Sequence, residues 1–423
     1  MNDERQGDLQ RRHEQLMGRT APLLFDEPLE LAAGHGVWLI DTDGQRFLDL
    51  YNNVPCVGHA NPHVGDAVAR QVATLNVHSR YLHENVIAYG ERLMALHHDG
   101  IESMIMTCTG SEAVELAIRI ARTATGRSGL ICTDATYHGN TSLVGRTRRL
   151  ATGEGQGDIR SISTPGTFRP LQEGLNEQQL LQLHLDELAQ TIESFNDSGG
   201  FAGLLVCSIL ANEGLPVPPA GWFEQVCAMV HEAGGLVIAD EIQAGFGRSG
   251  QWWGYQTNNF TPDITTMGKP MGNGMPVSAV AASNELITQF RGANPYFNTF
   301  ASSPLQAAAA NAVLDEIENR ELLRSVTEIG ERIRRELRVF QESTPEMGDV
   351  RGEGLYIGID WVEPGTTIPD AAGAVRFVEA LKSKHIHVGH AGHHWNVVKI
   401  RPPIVIEHEH VDLLLEAMTE ILG

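Results

Sequence analysis

The amino-acid sequence predicts an α/β fold: a large, doubly wound, mainly parallel sheet domain, with a smaller α+β domain formed by the N- and C-terminal segments. Two observations predict it. From residue 103 onward, short apolar runs alternate with helical patterns, the mark of βα units that build a parallel sheet. On either side the pattern changes, to a hairpin before this region and to long helices with one strand after it. At 423 residues the chain is long enough for two or three compact units. The expected division is 1–55 for an N-terminal arm and part of the small domain, 56–315 for the large domain, and 316–423 for the rest of the small domain.

The first twelve residues mix charges without the apolar stretch of a secretory signal, so export is not expected. Residues 37–51 flank Asp43-Gly44 with apolar positions, and that pair supplies the positive φ of a tight hairpin turn. Strands are expected at 103–107, 129–134, 203–209, 235–241 and 263–267. Between the first two, residues 112–122 carry Ala113, Leu116, Ala117, Ile120 and Ala121 at helical spacing, which gives one face to pack on a sheet. A helical pattern over 307–338 then leads to a strand-like segment at 355–362 and two terminal helices.

Charge narrows the partners. With 31 basic and 53 acidic residues, the formal net charge is −22, which repels nucleic acid and anionic membrane and leaves neither as an expected partner. An anionic ligand would need a local basic pocket. The longest apolar-leaning run, 201–211, is far shorter than the ~20 residues a bilayer requires. Cys56, Cys108, Cys132, Cys207 and Cys227 lack C-x-x-C spacing, which is the pattern of reduced thiols in a cytoplasmic protein. The late histidines, among them His385, His387, His390, His393 and His394, show no H-E-x-x-H spacing, so no metal is expected.

The candidate chemistry starts from lysine usage. Lys269, Lys382, Lys384 and Lys399 are the only lysines, and Lys269 lies in a glycine-rich segment with Pro270 behind it. A solvated loop lysine would read the same way. Upstream, the apolar run Leu236-Val237-Ile238-Ala239 ends in Asp240-Glu241, on the side where open α/β sheets bind ligands. A buried Asp240 needs a cationic partner. Thr109-Gly110-Ser111-Glu112 fits a capping box, and also a helix start whose free N–H groups hold a phosphate. Tyr137-His138-Gly139 follows a strand and offers a ring for stacking, or a core tyrosine beside a surface histidine. Gly245-Phe246-Gly247-Arg248-Ser249-Gly250 matches the dinucleotide fingerprint. The bulky Gln251-Trp252-Trp253-Gly254-Tyr255 that follows is a poor helix start, which disfavours an oxidoreductase.

Taken together, these words resemble the class III, fold type I pyridoxal-phosphate enzymes over nearly the whole chain: Thr109-Gly110-Ser111-Glu112-Ala113, Tyr137-His138-Gly139, Asp240-Glu241-Ile242-Gln243-Ala244-Gly245-Phe246-Gly247-Arg248, the Lys269 segment, Asn298-Thr299-Phe300 and Arg401-Pro402-Pro403. The resemblance implies pyridoxal 5'-phosphate as cofactor. It implies that Lys269 forms the Schiff base with the cofactor aldehyde and later moves protons, and that Asp240 pairs with the ring nitrogen. It assigns one ring face to Tyr137 or His138, the other to Ile242, the ring hydroxyl to Gln243, and the phosphate to Gly110 and Ser111. Thr299 would reach the phosphate from a second subunit, which implies an obligate homodimer.

Within that family, residues 51–59, 79–83, 267–274 and 296–299 are most similar to the phospholyases of O-phosphoethanolamine or phosphohydroxylysine. Two positions depart from the aminotransferase pattern. Cys207 stands where that pattern has a Glu before Pro-Ile-Gln, and Lys399 stands where it has the carboxylate-binding Arg. The implied activity is elimination of phosphate and ammonia from a small phosphorylated amine, with Arg80, Lys399 and Arg401 as candidates for gripping the substrate phosphate. The alternative is an ω-aminotransferase that passes the amino group to pyruvate, glyoxylate or 2-oxoglutarate.

Overall fold

Eight strands pair in the spatial order Ser103–Thr107, Ser278–Ala282, Ile264–Met267, Leu236–Asp240, Phe201–Cys207, Gly129–Thr133, Ile159–Ile162 and Gly155–Gln156. The structure, a computed structural model, describes residues 2–25, 27–150 and 155–423. Every pairing from Ile264–Met267 through Ile159–Ile162 is parallel. Ser278–Ala282 runs antiparallel to both of its neighbours, so Ser103–Thr107 points the same way as the parallel set. The C-terminal ends of these strands therefore share one edge, the edge at which open α/β sheets bind ligands.

All five expected strands are present within a few residues of their expected limits. Ser278–Ala282 was not foreseen, because Ser-Ala-Val-Ala-Ala has little β propensity; it is a strand because all five residues are buried between two neighbours. The helix Gly110–Thr125 starts at the capping box and buries Ala113, Val114, Leu116, Ala117, Ile118, Ile120 and Ala121 against the sheet. The helical pattern over 307–338 is two helices, Pro304–Asn319 and Leu322–Ser343. The chain breaks at Glu321, whose φ of 51° no continuing helix accommodates.

The ends of the chain interlock. The hairpin expected at 37–51 pairs Trp38 with Leu48, and Ile386 joins it in parallel beside Leu48, completing a four-stranded sheet from both termini. A second four-stranded sheet takes Met347–Glu353, Tyr356–Trp361, Val397–Ile400 and Gly389–Ala391. One apolar core runs from Leu48 and Leu50 through Trp222 and Trp253 to Val411 and Met418, and ties these sheets to the large one. Among the described residues no helix is long and apolar enough to cross a membrane. The glycine-rich segment at 245–250 forms turns, but a one-turn helix, Gly254–Thr257, does start within the aromatic stretch that was expected to be a poor helix start. In the glycine-rich segment Arg248 is fully buried and donates to the Leu355 and Pro402 carbonyls and to Asn53 Oδ1, so the segment clasps distant parts of the chain.

Candidate active site

Five segments leave the C-terminal edge of the large sheet and enclose a cavity of about 170 Å³. The first supplies a helix start. Thr109 Oγ1 accepts from the Glu112 N–H at 3.2 Å, and Glu112 Oε2 accepts from the Thr109 N–H at 3.0 Å. The capping box is therefore real, and it is compatible with anion binding, because Gly110 and Ser111 at the cavity wall keep first-turn N–H groups that no helical carbonyl reaches. The walls there leave no space for a larger residue. A Cβ on Gly110 would come within 2.7 Å of Ile242 Cδ1, and one on Gly139 within 2.6 Å of Ser111 Oγ. Two segments with glycine at the point of contact thus form a tight cradle.

The second segment brings Tyr137 and His138, which part company. Tyr137 is half-buried at the cavity wall and donates its hydroxyl to Asn140 Oδ1 at 3.0 Å. The His138 side chain is fully buried, with Nδ1 2.6 Å from Asp240 Oδ2 and Nε2 3.0 Å from Thr136 Oγ1. Of the two, Tyr137 is the ring free to face a bound group. Asp240 ends the strand Leu236–Asp240, and its Oδ1 accepts the Ile242 N–H at 3.0 Å. Next to it, Glu241 faces the other way and accepts the Gly254 and Tyr255 N–H groups, each at 2.8 Å; burial pushes its pKa up to about 7.

Lys269 comes from the turn after Ile264–Met267 and lines the same cavity. Among the described residues its ammonium makes no hydrogen bond or ion pair. Burial lowers its pKa, assisted by the Arg401 charge, against the opposing pull of Asp240. Gln243 Oε1 accepts from both Arg401 and the Tyr356 hydroxyl, the latter at 3.0 Å, and its Nε2 donates to Asn212 Oδ1 at 3.2 Å. Arg401 is otherwise held by the Tyr51 carbonyl, at 3.0 Å from Nε and 2.9 Å from Nη2. Lys399, in the strand Val397–Ile400 that ends just before Arg401, is buried with its pKa driven well below the lysine range by desolvation, Arg401 and Lys269.

The structure thus brings together Gly110, Ser111, Tyr137, His138, Asp240, Ile242, Gln243 and Lys269, with Lys399 and Arg401 in electrostatic reach. It does not bring Arg80 or Thr299 into this cavity. Arg80 is exposed over the Phe297 ring, 4.2 Å from its centroid, and Thr299 is exposed nearby in sequence. Residues that sequence reasoning missed include Thr136, Asn212, Glu213 and Tyr356. Asn212-Glu213 had a readable signal, since a polar pair follows shortly after an apolar strand on the ligand-binding edge of the sheet.

His138, Cys207 and Asp240 also place potential ligand atoms within 4.8 Å of one another. They make a poor cation site. Burial, Glu213 and Asp240 drive the Cys207 thiol well above its ordinary pKa, away from the thiolate a metal needs, and the short contact to Asp240 occupies His138 Nδ1.

The family described as aminotransferase class-III matches residues 26–422. The chain is 33% identical to "Alanine--glyoxylate aminotransferase 2-like" of Drosophila melanogaster, over 96% of this chain and 85% of that protein. It is 31% identical to "Ethanolamine-phosphate phospho-lyase homolog 1" of Caenorhabditis elegans, over 98% of this chain and 92% of that one. Among solved structures, a phospholyase from Arthrobacter in complex with phosphoethanolamine is 39% identical, with a TM-score of 0.94 over 98% of this chain and 99% of that one.

Proposed function

The chain belongs to the class III aminotransferase family, with pyridoxal phosphate as cofactor, and from that premise we propose that it is a phospholyase releasing phosphate and ammonia from O-phosphoethanolamine or a similar small phosphorylated amine. The carrying observation is the convergence of Lys269, Lys399 and Arg401. A buried guanidinium and a buried lysine whose proton a bound anion would help retain stand beside the reactive lysine on a protein of net charge −22, and a dianionic phosphate is the group that such a pair suits.

The cradle fits the cofactor. Gly110 and Ser111 would offer N–H groups to its phosphate, Tyr137 and Ile242 would lie to either side of its ring, Gln243 would serve the ring hydroxyl, and Asp240 would hold the proton of the ring nitrogen. When bound, pyridoxal phosphate supplies an electron sink for the charge left when a proton departs from the carbon beside the substrate nitrogen. Lys269 Nζ takes up that proton, and its lowered pKa raises the share of neutral amine available to do so. Lys399 and Arg401 orient the phosphate and stabilise it as it leaves from the neighbouring carbon with the electron pair of the C–O bond. One water then converts the two-carbon remainder to acetaldehyde and ammonia, so no keto acid is consumed.

The reading extends to a homodimer in the cytoplasm, with Thr299 acting in the partner's site and Arg80 beside it. The segments that carry them expose apolar side chains: the His78 and Phe297 rings meet with centroids 5.5 Å apart, and Leu82 and Phe300 are 96% and 76% exposed. Exposed apolar side chains of this kind support the reading of an interface. The division of the chain at residues 55 and 315 belongs to the same proposal. The test is turnover of O-phosphoethanolamine without any keto acid. An ω-aminotransferase would stop after one turnover until pyruvate, glyoxylate or 2-oxoglutarate is added.

A further inference from the structure

Asp49 is a fully buried acid that the mechanism above does not use. It closes the strand Arg46–Asp49, and its two oxygens serve different partners. Oδ1 accepts the N–H groups of Tyr51 and Asn52, at 3.0 and 2.9 Å, and Oδ2 lies 2.7 Å from His59 Nε2. A carboxylate that accepts from the backbone two and three residues further on folds the chain into a local turn. The turn is anchored again at its far end, where Asn53 accepts from Arg248 at 2.8 Å and donates to the Gln243 carbonyl at 3.1 Å.

The outer side of this turn carries Arg401. The Arg401 backbone N–H donates to the Leu50 carbonyl at 2.6 Å, and the Tyr51 carbonyl accepts from both Nε and Nη2 of its side chain. The Tyr51 carbonyl and the Asn52 N–H belong to one peptide unit, which is trans and planar, so the two groups point in opposite directions. By holding the N–H on one side, Asp49 aims the carbonyl at the guanidinium on the other. The Tyr51 ring is pinned as well: it meets the His387 ring edge-on with centroids 5.3 Å apart, and a Cβ on Gly389 would collide with it. Among the described residues the guanidinium has one further hydrogen-bond partner, Gln243 Oε1 on Nη1, so the direction of the Nε–Nη2 edge is set by the Tyr51 carbonyl.

We infer that Asp49 is a positioning residue for the substrate phosphate: it orients the Tyr51–Asn52 peptide and, through the Tyr51 carbonyl, fixes the direction in which the Arg401 guanidinium meets the phosphate. The inference rests on the reading of Arg401 as a phosphate ligand. That reading is tested separately by Arg401→Lys, which must weaken phosphate binding if it is right.

Binding of inorganic phosphate to the holoenzyme, measured by calorimetry, tests this without depending on turnover. Asp49→Ala frees the peptide and should weaken phosphate binding about tenfold, the effect of losing one charge-assisted hydrogen bond. Its coenzyme dissociation constant should stay within about twofold of the parent's, whereas a merely structural role would move both. Asp49→Asn keeps one oxygen for the two N–H groups and should restore phosphate binding to within about threefold. In an Arg401→Lys background, Asp49→Ala should cost less than about twofold more, because residues that act through one contact do not add. Parental phosphate affinity in a folded Asp49→Ala, an equal loss of coenzyme affinity, or a full further loss in the Arg401→Lys background overturns the inference. Parental phosphate affinity in Arg401→Lys itself brings down the reading of Arg401, and the inference with it. A crystal structure of the parent holoenzyme with phosphate gives a check that needs no variant. Arg401 keeping both Tyr51 contacts while it meets the phosphate supports the inference, and a guanidinium that leaves Tyr51 to reach the phosphate overturns it.

Discussion

Arg401 donates to the side-chain oxygen of Gln243 and to the Tyr51 carbonyl, and among the described residues no carboxylate pairs with it. Its position is fixed by neutral acceptors, so its positive charge stays uncompensated beside Lys269. A pre-oriented and unneutralised guanidinium is suited to receive an anion from outside the protein.

Arg401→Lys is expected to raise KM for O-phosphoethanolamine by about tenfold or more, since an ammonium cannot reproduce the fork that spans Tyr51 and Gln243. Steady-state assays of phosphate release check this. A KM within twofold of the parent would place the substrate phosphate elsewhere.

Lys399→Met separates binding from stability. The Lys399 pKa is depressed in the folded state, so the unfolded chain binds more protons between that depressed value and the ordinary ~10.4, and stability rises with pH across this window. Binding of a dianion runs the opposite way and weakens as the ammonium loses its proton. The variant is expected to flatten both profiles, to lose substrate affinity at the low-pH end of the range, and to melt no lower than the parent. Thermal melts and KM measured against pH report the two effects independently.

Glu241→Gln probes the acid that Asp240 does not share. The Glu241 pKa is raised to about 7 in the folded state, so its contribution to stability is full below the ordinary carboxylate pKa and is lost as pH rises toward 7. Glutamine offers one oxygen where Gly254 and Tyr255 each need an acceptor, and the unmet N–H should cost about 1–3 kcal/mol. Denaturant unfolding at pH 5 and pH 8 should show a smaller difference between the two pH values in the variant than in the parent.

Much of this site was legible because its chemistry is carried by residues with strong local signatures. Asp240 ends an unbroken apolar strand, Gly110-Ser111 opens a boxed helix, and Lys269 is one of only four lysines. What escaped depends on tertiary context. Ser278–Ala282 is a strand through burial and not through propensity, and Glu321 breaks a helix that periodicity carries straight through. Tyr356 meets Gln243 from 113 residues away, a pairing that no window of sequence contains. That the His138 ring lies against Asp240 while Tyr137 stays at the cavity wall is likewise visible only in three dimensions.

Lys269→Ala should leave the circular dichroism of the fold unchanged and remove the visible absorbance that the parent shows with pyridoxal phosphate. Lys269 is the one lysine that lines the cavity, so a persisting visible band would mean that another amine holds the cofactor.

The central claim is most directly tested by counting phosphate released per active site from O-phosphoethanolamine, with purified holoenzyme and no keto acid present. A phospholyase with ordinary enzymatic rates should pass about 100 equivalents within minutes, with acetaldehyde and ammonia in equal amounts. Release that ends at or below one equivalent per site, and resumes only on addition of pyruvate, glyoxylate or 2-oxoglutarate, would contradict it.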